Sequence, residues 1–287
     1  MQSNNPVFRR SEAFNGSSTN AYGNETYPGN GNVHQGYGQA PGYGQPSYAA
    51  PTTTQRPMTI DSVVQKTGIS LGVVIVFAAI TWWLIGDVRT TSPDFEQNMG
   101  TLYGALMIGS LGAFALSMVN SFKRVISPGL VIAFCALEGV ALGAFSKFFD
   151  VRFGDGIVTQ AVIGTFAAFA GTLAAYKFFN IQVGSKFRTF VIAAMFGMVG
   201  LGLLEMVLGF FGSQIGLFGF GSMGLLFAIA GLVLGVFMLI LDFDFVEQGV
   251  AAGLDERESW RAAFALTVSL VWIYTNLLRI LAIFSSD

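Results

Sequence analysis

Seven apolar segments, each close to twenty residues long, dominate this chain: 69–85, 100–122, 130–149, 157–179, 190–211, 223–241 and 262–284. A helix rises about 1.5 Å per residue, so about twenty apolar residues cross the roughly 30 Å hydrocarbon core of a bilayer. The segments are apolar around their whole circumference, whereas a helix on the surface of a soluble domain keeps one polar face. Lipid offers backbone N–H and C=O groups no partner, so such runs must satisfy their own hydrogen bonds as helices. Composition agrees, with 53% of the 287 residues hydrophobic and 11% charged, against about 25% charged in a typical soluble domain. The expected fold is an all-α integral membrane protein, a seven-transmembrane-helix bundle in contact with the lipid bilayer. Trp82 and Trp83 suit an interfacial belt at the end of the first span. The Gly-rich stretch 212–221 leaves the start of the sixth open.

Residues 1–57 have a different composition, rich in Gly, Asn, Gln, Tyr, Ser and Pro and nearly free of aliphatic side chains. Such a segment cannot bury enough apolar surface to offset its ordering entropy, and it reads as a disordered tail ahead of a membrane domain over 58–287. Arg9 and Arg10 are not followed by an apolar run, so no signal peptide is expected. A spacer is the simplest role for the tail; Tyr22, Tyr27, Tyr37, Tyr43 and Tyr48 offer a weak binding surface as the alternative. Residues 58–67 read as a short amphipathic lead-in, with Ile60, Val63 and Val64 opposite Asp61, Gln65 and Lys66.

Basic residues set the orientation, because Lys and Arg are retained on the cytoplasmic side. With the N-terminus inside, the inner segments hold Arg9, Arg10, Arg56, Lys66, Lys123, Arg124, Lys177, Lys186, Arg188, Arg257 and Arg261. The outer side holds Arg89, Lys147 and Arg152. The expectation is a multi-pass plasma (inner) membrane protein with a cytoplasmic N-terminus and an outside C-terminus. Asn15-Gly16-Ser17 and Asn24-Glu25-Thr26 match the glycosylation sequon by chance if the tail is cytoplasmic. A net charge of −2 without a basic run argues against nucleic acid. The single Cys135 allows no internal disulfide, and His34 is the one histidine, so no structural zinc site is expected. Small residues at Gly100/Gly104, Gly109/Gly112, Gly139/Gly143, Gly197/Gly200 and Gly231/Gly235 have the spacing of helix-packing positions.

Ionisable residues within the spans are the functional candidates, since charge is costly in lipid. The region 239–279 concentrates them: Asp242, Asp244 and Glu247 close the sixth span, and Ser269, Asn276 and Arg279 form a polar stripe on the seventh. Asp242 and Asp244 lie about 200° apart on a helix, so one of them faces the bundle. Glu138 lies about 12 Å from the inner end of the third span, at a depth similar to Ser269, and is expected to look toward it. Glu205 and Arg279 match in depth, about 25 Å from the inner end, and are opposite in charge. An internal ion pair is one reading of them, and separate snorkelling to the interface the other.

Leu241–Phe245 (LDFDF), the closing NLLRIL at 276–281 and the seven spans with short loops together resemble the Bax inhibitor-1 family of transmembrane Bax inhibitor motif proteins. The likeness covers about 59–287 and is greatest to the bacterial branch with a low-complexity N-terminal tail. It implies a seven-helix bundle with the last helix surrounded by the other six. It also implies a pH-sensitive calcium leak gated by two aspartates near the cytoplasmic side. Asp242 matches the first of these, but the second position is occupied by Ser269, which can hydrogen-bond but adds no charge for Ca²⁺. Either Glu138 or Asp244 supplies the second carboxylate, or the two-aspartate switch is missing from this chain.

Two functions follow as expectations. One is a cation leak for Ca²⁺ or another ion, with Asp242, Glu138, Ser269 and Asn276 along the path. The other is a non-transporting regulator that binds other membrane proteins in stress or protease modulation. An enzyme is not expected, since His-Glu-x-x-His, Gly-x-Ser-x-Gly, a nucleotide-binding loop and an intramembrane histidine are all missing from the sequence. No cofactor is expected beyond Ca²⁺ as a transported or regulatory ion.

Overall fold

A computed structural model describes residues 56–154 and 156–285, all within the compact unit Thr53–Asp287. The expectations for 1–55 lie outside the described residues. The described residues form seven helices: α1 (Ile60–Ile85), α2 (Phe95–Phe122), α3 (Pro128–Phe153), α4 (Ile157–Phe178), α5 (Ser185–Phe210), α6 (Ser222–Ala251) and α7 (Glu258–Ser285). All seven are long and apolar enough to cross a membrane, making this a multi-pass membrane protein.

Two boundaries differ from the hydropathy reading. The lead-in 58–67 is not a separate element, because α1 runs unbroken from Ile60. A reciprocal capping box starts it: Ser62 N–H donates to Thr59 Oγ1 at 3.1 Å, and Thr59 N–H donates to Ser62 Oγ at 3.1 Å. Gly68 does not interrupt it, since one helical glycine costs about 1 kcal/mol, less than freeing backbone groups near lipid. The second difference is at α6, which continues past Leu241 to Ala251 and carries the acidic residues on the helix itself.

The helices are arranged around α7. In the most apolar window of α7, 61% of the residues are buried, against 50% for α3 and 28% or less for the other five. Direct packing against α7 comes from α1, α3, α4 and α6, while α2 lies outside against α1 and α3, and α5 outside against α6. Glycines permit the tightest crossings. A Cβ on Gly139 would fall 2.5 Å from the Val74 carbonyl oxygen of α1, and one on Gly143 would fall 2.5 Å from that of Ala78. Gly109 and Gly112 meet Ala141 and Leu137 of α3, and Gly231 and Gly235 meet α7. Gly100/Gly104 and Gly197/Gly200 are the correction: nothing lies within 4 Å of a Cβ there, so these pairs pack no helix. They belong to the peripheral helices α2 and α5, whose open faces the spacing pattern cannot distinguish from packed ones.

One end of the bundle gathers the starts of α1, α3, α5 and α7 with the ends of α2, α4 and α6. There the α6–α7 loop is clasped by the residues before α1. Met58 N–H donates to the Leu254 carbonyl at 2.7 Å and Glu256 N–H to that of Arg56 at 2.9 Å. Lys66 Nζ reaches Glu256 Oε1 at 3.1 Å, and Ser62 Oγ meets Ser259 Oγ at 2.6 Å. The clasp fixes the hairpin that joins α6 to α7.

Candidate functional site

Three acidic side chains leave the last third of α6 in three directions, and each is met by a different helix. Residues advance about 100° each along a helix, which sends 242, 244 and 247 to separate neighbours. Ser269 Oγ of α7 donates to Asp242 Oδ2 at 2.5 Å. Arg188 Nη2 of α5 lies 2.9 Å from Asp244 Oδ2, which also accepts from Gln248 Nε2 at 2.8 Å. Tyr176 Oη of α4 donates to Glu247 Oε2 at 2.6 Å. The Asp244 and Glu247 contacts tie the outer helices α5 and α4 to α6, while Asp242 points at the central one.

The Asp242–Ser269 contact lies about 14 Å before the end of α6 and about 16 Å after the start of α7. It is therefore well inside the bundle, not where α6 meets water. Ser269 is completely buried and Asp242 partly so. Close approach of the two helices puts the hydroxyl there. Gly235 lies where a Cβ would be 2.6 Å from Ile273 Cγ1, and a Cβ on Gly231 would overlap the Asn276 amide. Trp272 Nε1 seals the same seam by donating to the Gly231 carbonyl at 2.8 Å.

Neither candidate for a second carboxylate joins Asp242. Glu138, expected to look toward Ser269 and Asp242, is on α3, which does not approach α6; both pack on α7 instead. It is partly exposed and has no hydrogen bond or ion pair among the described residues. Its depth matches that of Ser269, but depth is one coordinate and the angular position of α3 around α7 is another. Asp244 is turned to Arg188 on the far side of α6. Among the described residues no group of three or more His, Cys, Asp or Glu side chains could hold a metal ion. A cation reaching this site would meet the single Asp242 carboxylate and the Ser269 hydroxyl.

Asn276 does not reach Asp242 either. Two turns further along α7, its Nδ2 donates to the Trp272 carbonyl at 2.8 Å and its amide packs on Gly231. Ser269, Asn276 and Arg279 thus share one face, turned to α6 and the loop before it.

Glu205 and Arg279 form no ion pair with each other; both hold the loop between α5 and α6. The Glu205 carboxylate, 6% exposed, accepts three backbone N–H groups: Ile215 at 2.9 Å, Gly216 at 2.8 Å and Leu217 at 3.1 Å. Arg279 Nη2 donates to the Leu217 carbonyl at 2.6 Å, with its guanidinium 5.4 Å from the Phe218 ring and 5.9 Å from that of Phe227. Backbone amides of a turn satisfy the anion and a carbonyl with two aromatic faces the cation, a division of partners that side-chain charge alone does not reveal. Sequence reading missed Arg188 and Tyr176 as partners of the α6 acids. The signal for Arg188 was present, since it opens α5 at the same end where Asp244 closes α6. For Tyr176 there was none.

The family profile described as Bax inhibitor 1 like matches residues 5–286. No curated protein matches the chain. A bundle of seven apolar helices, its conspicuous acid Asp242 set against the central helix, and a match over nearly the whole length agree: this chain belongs to the Bax inhibitor 1 like family.

Proposed function

We propose that this protein is a cation leak across the plasma membrane, with Ca²⁺ as its expected ion, gated where α6 meets α7. The observation that carries the reading is the Asp242–Ser269 hydrogen bond, which joins an intramembrane carboxylate to the central helix. While it holds, the carboxylate is occupied and α6 lies on α7. When it opens, an acidic oxygen is freed inside the bundle. Ca²⁺ takes six to eight oxygen ligands, and one carboxylate with a hydroxyl is a weak set. Weak, transient coordination suits passage, because an ion must leave as readily as it enters. The basic residues favour a cytoplasmic N-terminus, an outside C-terminus and a gate nearer the cytoplasmic side.

Asp242 is the titratable group in this contact, so the gate is pH-sensitive through its charge. Protonation and an Asp242→Asn exchange remove the same charge and act in the same direction. In proteoliposomes loaded with a Ca²⁺ indicator, the wild-type protein is expected to conduct and to slow on acidification. Asp242→Asn is expected to conduct less and to lose the pH response. Equal flux in the two proteins refutes the reading and favours a regulator that works by binding other membrane proteins.

A further inference from the structure

Between the clasped end and the crossing at Gly139, α1 and α3 face each other through polar side chains. Thr67 and Ser70 stand three residues apart on α1, and Cys135 and Glu138 three apart on α3, so each pair shares a helix face. Ser70 and Cys135 are both 0% exposed, and Thr67 is 7% exposed. The Cys135 thiol lies within interaction reach of both the Ser70 hydroxyl and the Glu138 carboxylate. Two helices thus bring two hydroxyls, a thiol and a carboxylate together inside the bundle.

Buried helical hydroxyls elsewhere in the bundle bond to their own helix. Thr165, Thr172 and Thr267 each donate to the carbonyl four residues back at 2.7 Å. Thr67 and Ser70 do not: neither hydroxyl has a hydrogen-bond partner among the described residues. Buried polar groups are rarely left so, because an unmade hydrogen bond is costly and an unsolvated carboxylate more costly still. The charged and titratable groups of the packed helices do not pair with Glu138. On α1, Lys66 is held by Glu256 at 3.1 Å, and on α7, Arg261 by Glu258 at 3.0 Å. Tyr274 of α7 is bonded to Ser146, and Tyr176 of α4 to Glu247. The titratable residues of α2 are Glu96 and Tyr103, and on α3 itself the next is Lys147, nine residues on.

We propose that α1 and α3 hold an internal water site here, in which water bridges Thr67, Ser70 and Cys135 and solvates Glu138 as a proton-binding group. A buried water needs two to four polar partners, and the two hydroxyls, the thiol and the carboxylate supply them. A water hydrogen-bonded to two groups spans about 5–6 Å, which is also the Cβ spacing of residues three apart on a helix face. The row starts at Thr67, next to Lys66 of the clasp, and ends at Glu138, about 15 Å into α3. Because α3 and α6 pack on different sides of α7, this protonatable centre is separate from Asp242. It stands or falls without the leak.

Cys135 is the one cysteine of the chain, so its S–H stretch is a single infrared band that reads this site. The test is attenuated-total-reflection infrared spectroscopy of the full chain in liposomes, switched from H2O to D2O and titrated with acid. The S–H band is expected to convert to S–D while the backbone amides of the spans are still protonated, although the thiol is 0% exposed. Thr67→Val combined with Ser70→Ala leaves apolar space, which stays dry, and slows the conversion at least about ten-fold. Ser70→Ala alone, the milder change, acts in the same direction, and unchanged amide exchange shows that either variant is folded. As pH falls, the S–H frequency shifts in one step when Glu138 takes its proton; the step survives Asp242→Asn and is lost in Glu138→Gln. Thiol exchange no faster than that of the span amides, an unchanged rate in the folded variants, a frequency that does not move with pH, or a step that persists in Glu138→Gln each overturns the proposal.

Discussion

Replacing Ser269 with alanine tests the gate from the side of α7. The change removes one oxygen from a fully buried position and leaves Asp242 without its donor. A hydrogen bond to a charged group contributes about 1.5–3 kcal/mol net, and every 1.4 kcal/mol is a factor of ten in an equilibrium constant. If the bond exists in the latched arrangement and not in the open one, its loss shifts the balance toward open by roughly ten- to a hundred-fold. The carboxylate stays in place, so Ca²⁺ entry into proteoliposomes is expected to rise at fixed pH, opposite to the fall in Asp242→Asn. Combining the two changes should return flux to the Asp242→Asn level, because the freed carboxylate is then missing. Thermal unfolding in detergent checks that Ser269→Ala remains folded. A folded Ser269→Ala with wild-type flux refutes the latch, and one with reduced flux shows that the serine serves the path rather than the gate.

Asp244→Asn removes the charge that pairs the buried Asp244 with the half-exposed Arg188; the pair ties α5 to α6 away from the gate, so flux should be unchanged, and a large loss would move the gate to the α5 side. Glu205→Ala strips the acceptor from three N–H groups, of which that of Leu217 is buried, and should cost about 1–3 kcal/mol, read as a lower melting temperature. Swapping the charges, Glu205→Arg with Arg279→Glu, should fail to restore it, because an arginine cannot accept from the loop amides; recovery to wild type would reinstate the ion pair. Gly139→Ala drives a Cβ to 2.5 Å from the Val74 carbonyl and 2.8 Å from Phe77 Cβ, and should destabilise by about 1–3 kcal/mol. Gly100→Ala, with nothing within 4 Å, should cost nothing; equal melting of the two variants would show that α1 and α3 separate freely.

The angular positions around α7 explain why parts of the site were hidden in the sequence. Glu138 and Ser269 match in depth, as do Glu205 and Arg279, and depth is all that counting residues along a span provides. The structure shows α3 and α6 on different sides of α7, so Glu138 never meets Asp242. It also shows the 215–217 turn placing amides on Glu205 and a carbonyl on Arg279, leaving neither in need of the other. The different facings of Asp242 and Asp244 were legible, because 100° per residue is a property of the helix alone.

By itself the sequence determined seven spans and the identity of Asp242 with Ser269 opposite it. Lipid enforces the first, since an apolar run there has no alternative to a helix, and the motif pattern carries the second. Tertiary structure decided which polar groups touch. It placed α1, α3, α4 and α6 directly against α7 and left α2 and α5 outside. It selected Gly139, Gly143, Gly231 and Gly235 for close packing while leaving Gly100 and Gly197 open, and it gave each acid of α6 its own helix. The physical reason is that burial in lipid acts on a segment as a whole and can be summed along the chain. A hydrogen bond acts over about 3 Å, and that distance is set by how the helices turn and cross.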